Sequence, residues 1–136
     1  MIRVFSLLLA VSALAWAGWK RSGDTVIDTA AKLQWQDNAM AAKKDTVWKD
    51  ARSYCANLEL EGFRDWRLPT RTELETLRKA TVAKKVGLKN TVSNAYWTSE
   101  IYRKMPVNAW AVYWGNGHMF DTDRCDEAHV RCVRKR

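Results

Sequence analysis

The spacing of apolar residues changes along the chain and predicts two helices among several short strands. Residues 24–29 and 32–36 are strand-favouring runs on either side of small residues, which predicts a hairpin. Residues 37–44 are alanine-rich, end in two lysines and are interpreted as a loop. From residue 45 or 46 the apolar positions recur at helical spacing and define an amphipathic helix with these residues inward: Val47, Trp48, Ala51, Tyr54, Cys55 and Leu58.

Residues 62–74 combine a turn, a buried aromatic residue and a helix start, and we refer to them as the corner. Gly62 can adopt a positive φ and is expected to end the first helix. Thr70 and Glu73 have the spacing of a capping box, so the second helix is expected to begin at Thr70 and to run to about residue 80. We interpret the corner as structural, with Trp66 in the core between the two helices and Arg67 contacting a carboxylate or carbonyl. Its defining residues are Trp66, Arg67, Leu68, Pro69, Thr70 and Glu73.

The second half of the chain is predicted to consist mainly of strands. Residues 81–94 are basic, lack clear periodicity and indicate a surface loop, and residues 94–100 are typical of a strand. Residues 108–114 are apolar on both faces, which favours a central strand. The Gly115-Asn116-Gly117 sequence predicts a tight turn with positive φ at both central positions and a returning strand over 118–121. Residues 122–128 are predicted to be a loop and 129–134 a closing strand.

The N-terminus has the pattern of a secretory signal peptide. A short basic segment precedes an apolar run over residues 4–14, and Ala15-Trp16-Ala17 supplies a cleavage signal. The sequence therefore predicts a signal peptide over 1–17, one domain over 18–136, no membrane span after cleavage, and a periplasmic or secreted location. The alternative is an uncleaved membrane anchor, but the apolar run is short for a segment that spans a bilayer.

The charge balance favours an anionic partner. The formal net charge is +8, and removal of Arg3 with the signal leaves +7. An acidic polysaccharide or an envelope protein is the expected partner, and export argues against nucleic acid. The alternative is that the lysines and arginines form a solvated face that keeps a protein with eight tryptophans soluble.

Three cysteines in an oxidising compartment imply one bridge and one leftover thiol, which is either free or bridged to another chain. Cys55 faces inward on the first helix, and Cys132 faces inward on the last strand. If the helix packs on the sheet, these two point toward a shared core, so we expect a Cys55–Cys132 disulfide. Cys125 lies in a polar segment and is the leftover thiol.

No catalytic or cofactor-binding set is predicted. His118 and His129 have no convincing catalytic partner, and no nucleophile elbow surrounds Ser99. The tryptophans are interpreted mainly as core residues, with Trp114 the best candidate for exposure because it borders a turn. The candidate site for an acidic saccharide combines aromatic and basic residues that could stack and pair with charge: Arg103, Lys104, Tyr113, Trp114, His118 and Arg124.

Taken in order, these features closely resemble the DUF1566 family, which is also named for the C-terminal domain of the Legionella collagen-like protein. The resemblance covers nearly all of residues 18–136 and rests on three motifs in this order: Trp66-Arg67-Leu68-Pro69-Thr70, Tyr96-Trp97-Thr98-Ser99 and Val130-Arg131-Cys132-Val133-Arg134.

The resemblance implies an α+β, C-type-lectin-like fold with two helices packed on a small, mainly antiparallel twisted sheet. It also implies a role in adhesion or glycan binding, and a disulfide from helix to last strand belongs to that fold. The motifs of calcium-dependent lectins are missing, so Asp121, Asp123, Asp126 and Glu127 are interpreted as a solvated loop rather than calcium ligands, and no metal site is predicted. The alternative function is an envelope enzyme or enzyme accessory related to the formylglycine-generating group, which depends on an active-site cysteine pair.

Overall fold

The computed structural model describes residues 18–136, so the predicted signal peptide lies outside the described residues. This part of the chain forms three helices and nine strands. The helices are α1 (Met40–Lys43), α2 (Trp48–Asn57) and α3 (Arg71–Val82). The strands are β1 (Trp19–Ser22), β2 (Thr25–Asp28), β3 (Leu33–Gln36), β4 (Asp45–Thr46), β5 (Ala95–Ile101), β6 (Asn108–Tyr113), β7 (His118–Asp123), β8 (Ala128–His129) and β9 (Val133–Lys135).

The strands form two sheets. The first has the order β1-β2-β3-β9 and is antiparallel throughout, and it contains the predicted hairpin as β2 and β3, with Val26 opposite Trp35. The second has the order β4-β8-β5-β6-β7 and is antiparallel except where β5 and β8 run parallel. The predicted α+β class is confirmed, with two sheets in place of one.

Alternate residues of β5 enter two separate cores. Trp97 belongs to a cluster that contains Cys55 of α2, whereas Tyr96 belongs to a cluster that contains Leu74 of α3. Because successive side chains of a strand point to opposite faces, α2 and α3 cover opposite faces of the second sheet. The α3 cluster also includes Trp35 and so joins the first sheet to the second.

The first helix ends earlier than predicted, and Gly62 has a different role. α2 ends at Asn57, and Leu60 and Phe63 then exchange two backbone hydrogen bonds of 3.1 and 3.0 Å. Between them Glu61 and Gly62 have φ of 53° and 79°. Two positive φ values in a two-residue connection are characteristic of a tight hairpin turn rather than of a helix cap. The prediction that Gly62 ends the helix is therefore wrong.

Other boundaries also differ from the predictions. Residues 45 and 46, the expected start of the first helix, form β4, and α2 begins at Trp48. β1 precedes the predicted hairpin as an additional strand. Residues 40–43 form a single helical turn inside the expected loop, and α3 continues to Val82. β7 extends to Asp123, and the expected strand over 129–134 divides into β8 and β9, which lie in different sheets. In the β6–β7 turn only Gly117 has a positive φ, so the prediction of a positive φ at both central positions is wrong. The Asn116 side chain accepts a hydrogen bond from the backbone N–H of His118.

Candidate functional site

The corner connects the two sheets. Arg67 exchanges backbone hydrogen bonds of 2.9 and 2.8 Å with Val133 of β9, and the Pro69 carbonyl accepts one of 2.8 Å from Ser99 of β5. Trp66 is buried in the core cluster of α2 and donates its indole N–H to the carbonyl of Phe63. The prediction that Trp66 is a core residue is confirmed, although its cluster contains α2 and the second sheet rather than both helices.

The predicted capping box is present at the start of α3. The Thr70 hydroxyl accepts from the backbone N–H of Glu73, and the Glu73 carboxylate accepts from the backbone N–H of Thr70. The Arg67 guanidinium donates to both oxygens of the same carboxylate, at 2.7 and 2.8 Å, which is the expected carboxylate contact. One side chain therefore fixes both the helix start and the arginine before it.

The contact between Arg67 and Glu73 changes the pKa of both side chains. Burial would raise the pKa of Glu73, but the hydrogen bonds from Arg67 and from the Thr70 backbone, together with the arginine charge, outweigh it and lower that pKa. The hydrogen bond to Glu73 raises the pKa of Arg67 against the opposing effect of burial. The charge of Arg67 is thus already matched within the protein.

A groove of about 590 Å³ opens between the corner, α2 and the end of β5, and we call it the corner groove. Its walls are mainly aromatic, aliphatic and cationic, and they are formed by Trp48, Arg52, Ala56, Trp66, Arg67, Leu68, Thr70, Ser99 and Ile101. None of these residues is a histidine, a cysteine or a carboxylic acid. The polar groups that line the groove are therefore guanidinium and hydroxyl groups, which suit the recognition of an anion better than proton transfer.

Two arginines contact the ring of Trp48 in the wall of the corner groove. The guanidinium carbons of Arg52 and Arg124 lie 5.0 and 5.4 Å from the ring centroid. Arg52 reaches the ring because it is four residues further along α2 and lies on the same helix face. Arg124 is close because its carbonyl accepts the backbone N–H of Trp48, at 3.0 Å.

Among the described residues, neither Arg52 nor Arg124 forms an ion pair. A guanidinium in contact with an aromatic ring keeps its N–H donors directed away from the ring, where they can bind a carboxylate or sulfate in bidentate fashion. Arg52, which lines the groove, is the cation of this site whose charge the protein leaves unmatched.

The structure does not bring the predicted saccharide-binding residues together. Arg103 and Lys104 lie in the β5–β6 turn, and Arg124 follows β7 beside that turn, where its N–H donates to the Val107 carbonyl. Tyr113 and His118 face each other at the opposite end of the β6–β7 pair. β6 has six residues, so the two groups lie on the order of 17 Å apart.

Trp114 is a core residue, so the prediction of its exposure is wrong. It is 9% exposed and packs edge-on against Tyr96, with ring centroids 5.6 Å apart. The hairpin turn beyond it is covered by Arg78, whose Nε donates to the Trp114 carbonyl at 2.8 Å. Of the predicted set, only Arg124 contributes to the surroundings of the corner groove.

Three of the four acidic residues that follow β6 accept hydrogen bonds within the protein. Asp121 accepts from the Asn108 amide, Asp123 from the backbone N–H of Cys125, and Asp126 from the Thr122 hydroxyl. No cluster of three or more potential metal ligands occurs within residues 18–136. His118 stacks on Phe120 at the surface, and His129 is buried opposite Asp45 of β4.

The predicted disulfide is confirmed. Cys55 and Cys132 are bonded, with Cα atoms 5.5 Å apart, and both are completely buried. Cys125 is exposed and is the free cysteine of the described chain. The bridge joins α2 to the segment immediately before β9, and it occupies the two cysteines that a redox-active pair would need.

Sequence reasoning missed a buried ionic cluster and the groove arginine. Arg131 and Asp37 form an ion pair with fully buried side chains, and Arg21 also contacts that carboxylate. No local signal identifies this pair, because its members are 94 residues apart. Arg52 is exposed on α2, and only its spacing of four residues from Trp48 indicates that the two side chains are neighbours.

The comparison with family models shows which family the chain belongs to. Residues 24–134 match the model of the Lcl C-terminal domain, so the chain is a member of that family, as the resemblance predicted. A search of curated proteins finds no match. No helix within residues 18–136 is long and apolar enough to cross a membrane.

Solved structures with a similar fold include botrocetin, with a TM-score of 0.52, 11% identity, and coverage of 86% of this chain and all of that one. A chain from the complex of botrocetin with a mutant von Willebrand factor A1 domain gives a TM-score of 0.51 at 10% identity, with the same coverage. At this identity the similarity establishes the fold alone. The predicted C-type-lectin-like architecture is confirmed.

Proposed function

We propose that this chain is an exported, non-catalytic binding module that holds carboxylate or sulfate groups of an anionic polysaccharide or envelope partner in the corner groove. The observation that carries the proposal is the position of Arg52 on the Trp48 ring, within the groove and without an ion-pair partner among the described residues. An aromatic face beside an unmatched guanidinium offers stacking for a sugar ring and charge for its acidic substituent.

The surroundings of the site support this proposal. The formal charge of residues 18–136 is +7, which attracts a polyanion over the screening length of the solution. Membership of the Lcl C-terminal domain family and the lectin-like fold agree with a binding role. Botrocetin, which shares the fold, is present in the second matched structure as a complex with a macromolecule, the von Willebrand factor A1 domain.

The alternative is an envelope enzyme or an accessory related to the formylglycine-generating group. That chemistry requires a reactive cysteine pair, whereas Cys55 and Cys132 are buried and bonded to each other. The corner groove also lacks a lining residue able to act as a general base near neutral pH. We therefore favour binding. Export is supported by the buried disulfide, which is typical of oxidising compartments.

Retention on a heparin-like matrix tests the proposal. The unmodified chain from Gly18 onward should bind in low salt and elute as salt rises. Arg52→Ala should lower the affinity for a soluble sulfated oligosaccharide by about tenfold, which corresponds to one charged hydrogen-bonded contact. Lys85→Ala is the matched control, since it removes one charge from an exposed residue in the loop before β5. No retention in low salt, or equal losses in the two variants, would contradict the proposal.

A further inference from the structure

The turn between β5 and β6 exposes apolar and basic side chains together, and we call residues 102–107 the basic tip. Five consecutive residues, 103–107, are exposed. Met105 and Val107 are 52% and 56% exposed, and Ile101, the last residue of β5, is also exposed. The described chain has seven exposed large hydrophobic residues, and three of them therefore lie at this one turn. Such clustering at one turn indicates an interaction surface rather than scattered surface residues.

The basic tip has a fixed backbone, so this exposure belongs to the folded state. The N–H of Met105 donates to the Tyr102 carbonyl, and the N–H of Asn108 donates to the Met105 carbonyl. The Val107 carbonyl accepts from Arg124, which attaches the tip to the end of β7. Below the tip, the Tyr102 ring packs edge-on against Trp110, with centroids 5.1 Å apart.

The charge of the basic tip is positive and unmatched. Arg103 and Lys104 form no ion pair among residues 18–136, and residues 101–107 contain no acid. The neighbouring carboxylates are engaged elsewhere: Glu100 pairs with Arg71, and Asp121 and Asp123 accept hydrogen bonds within the protein. Two cations without an ion-pair partner among the described residues therefore share one turn with two exposed apolar side chains.

We propose that the basic tip docks on an anionic lipid surface, with Met105 and Val107 entering the interfacial region and Arg103 and Lys104 contacting the headgroups. A polysaccharide would use the charges but leave the apolar side chains in water, whereas the interface of an anionic bilayer satisfies both. The basic tip adjoins the corner groove at Ile101, which lines the groove, but no residue of 102–107 does. A docked tip would hold the groove close to the membrane.

Cosedimentation with vesicles tests this inference, using the chain from Gly18 onward so that the apolar leader is absent. Equimolar phosphatidylglycerol and phosphatidylcholine vesicles should bind the chain, and pure phosphatidylcholine vesicles should bind it far less. Because each basic residue near an anionic surface contributes about 1 kcal/mol, Arg103→Ala with Lys104→Ala should lower the partition coefficient by about 30-fold. Met105→Ser with Val107→Ser should lower it by about tenfold.

Matched control variants test whether the loss of vesicle binding is specific to the basic tip. Lys85→Ala with Lys89→Ala removes the same charge near the other end of β5, and Met40→Ser with Val82→Ser removes two other exposed apolar side chains. Losses below about threefold in both controls, beside the larger losses at the tip, would support the inference. Equal losses in tip and control variants, or equal binding to neutral vesicles, would overturn it. Tip-dependent retention on a heparin-like matrix without vesicle binding would also overturn it, while leaving a polyanion-binding function in place.

Discussion

Asp37 and Arg131 form a completely buried ion pair, with 3.3 Å between Oδ1 and Nη1. The carboxylate also accepts the backbone N–H groups of Lys89 and Asn90, each at 2.9 Å, so it fixes the loop before β5. Arg131 donates further to the carbonyls of Gln36 and Asn90. One carboxylate and one guanidinium thereby join the end of β3, that loop and the segment before β9.

Asp37→Asn should strongly destabilise the fold. The amide leaves the Arg131 charge buried without its counterion, which costs about 3–5 kcal/mol, and it turns one acceptor into a donor facing backbone N–H groups. Urea unfolding measures the effect. Glu100→Gln is the control, because it interrupts the partly exposed pair with Arg71 and should cost about 1 kcal/mol or less. Similar costs for the two variants would contradict a larger contribution of the buried Asp37–Arg131 pair to stability.

Glu73 should make stability depend on acidic pH. Its pKa is lowered in the folded protein, so the unfolded chain binds more protons as pH falls through the range below its ordinary value of about 4.3. Its contribution is complete above that value and is lost toward lower pH. Glu73→Gln should therefore flatten the fall of the urea midpoint from about pH 5 to pH 3.

Glu75→Gln serves as the matched control for that titration. The pKa of Glu75 is lowered by the hydrogen bond from Lys79, but the pair is exposed on the same helix. Because solvent screens such a pair, its removal should change the pH profile much less than Glu73→Gln does. If both variants retain the unmodified profile, the Arg67–Glu73 contact does not contribute to acid sensitivity.

The Cys55–Cys132 bridge closes a loop across 77 residues of sequence. In the chain-entropy model, a loop of this length stabilises the fold by about 4 kcal/mol. The double variant Cys55→Ala with Cys132→Ala should lose an amount of this order in urea unfolding, and Cys125→Ala should lose almost nothing, because Cys125 is exposed. In the unmodified protein, an alkylating reagent should label Cys125 alone without denaturant. Labelling of Cys55 or Cys132 under those conditions would contradict the pairing.

Trp66 is expected to contribute mainly to folding, although it also lines the corner groove. It is buried in the α2 core cluster beside the disulfide, so Trp66→Ala should cost about 3 kcal/mol or more through the cavity it leaves. Tyr113→Ala, at a partly exposed aromatic residue, should cost clearly less in the same unfolding measurement. A Trp66→Ala protein with unchanged stability and lost polyanion binding would make the corner a contact site instead of a support.

The parts of the fold that the sequence predicted are those that local chemistry determines. The Thr70–Glu73 capping box and the β2–β3 hairpin depend on residues close in sequence, and both are present. The disulfide was predicted correctly because helical periodicity places Cys55 inward. Cys132 is also buried, although it lies in the segment before β9 and not in the strand assumed for it. The Gly62 turn was misassigned because a positive φ serves a hairpin turn as well as a helix end, and the sequence does not distinguish the two.

The features that the sequence did not predict depend on residues that are far apart in the chain. Residues 129–134 were predicted to form one closing strand, but the chain crosses from one sheet to the other at Arg131, and that side chain is completely buried. The corner groove combines α2, the corner and β5, and Arg124 approaches Trp48 from beyond β7. The saccharide site predicted from the sequence grouped residues by chemical type. In the structure, the length of β6 separates its basic residues from Tyr113 and His118.

The indole N–H signals of the chain provide the most direct test of the binding site. Residues 18–136 contain seven of the eight tryptophans, and Trp48→Phe and Trp66→Phe variants can assign the two signals from the corner groove. During titration with a heparin-derived oligosaccharide in low salt, the Trp48 and Trp66 signals should shift most, and Arg52→Ala should weaken the shift by about tenfold in affinity. Shifts confined to other tryptophans, or none at saturating oligosaccharide, would contradict the corner groove as the binding site.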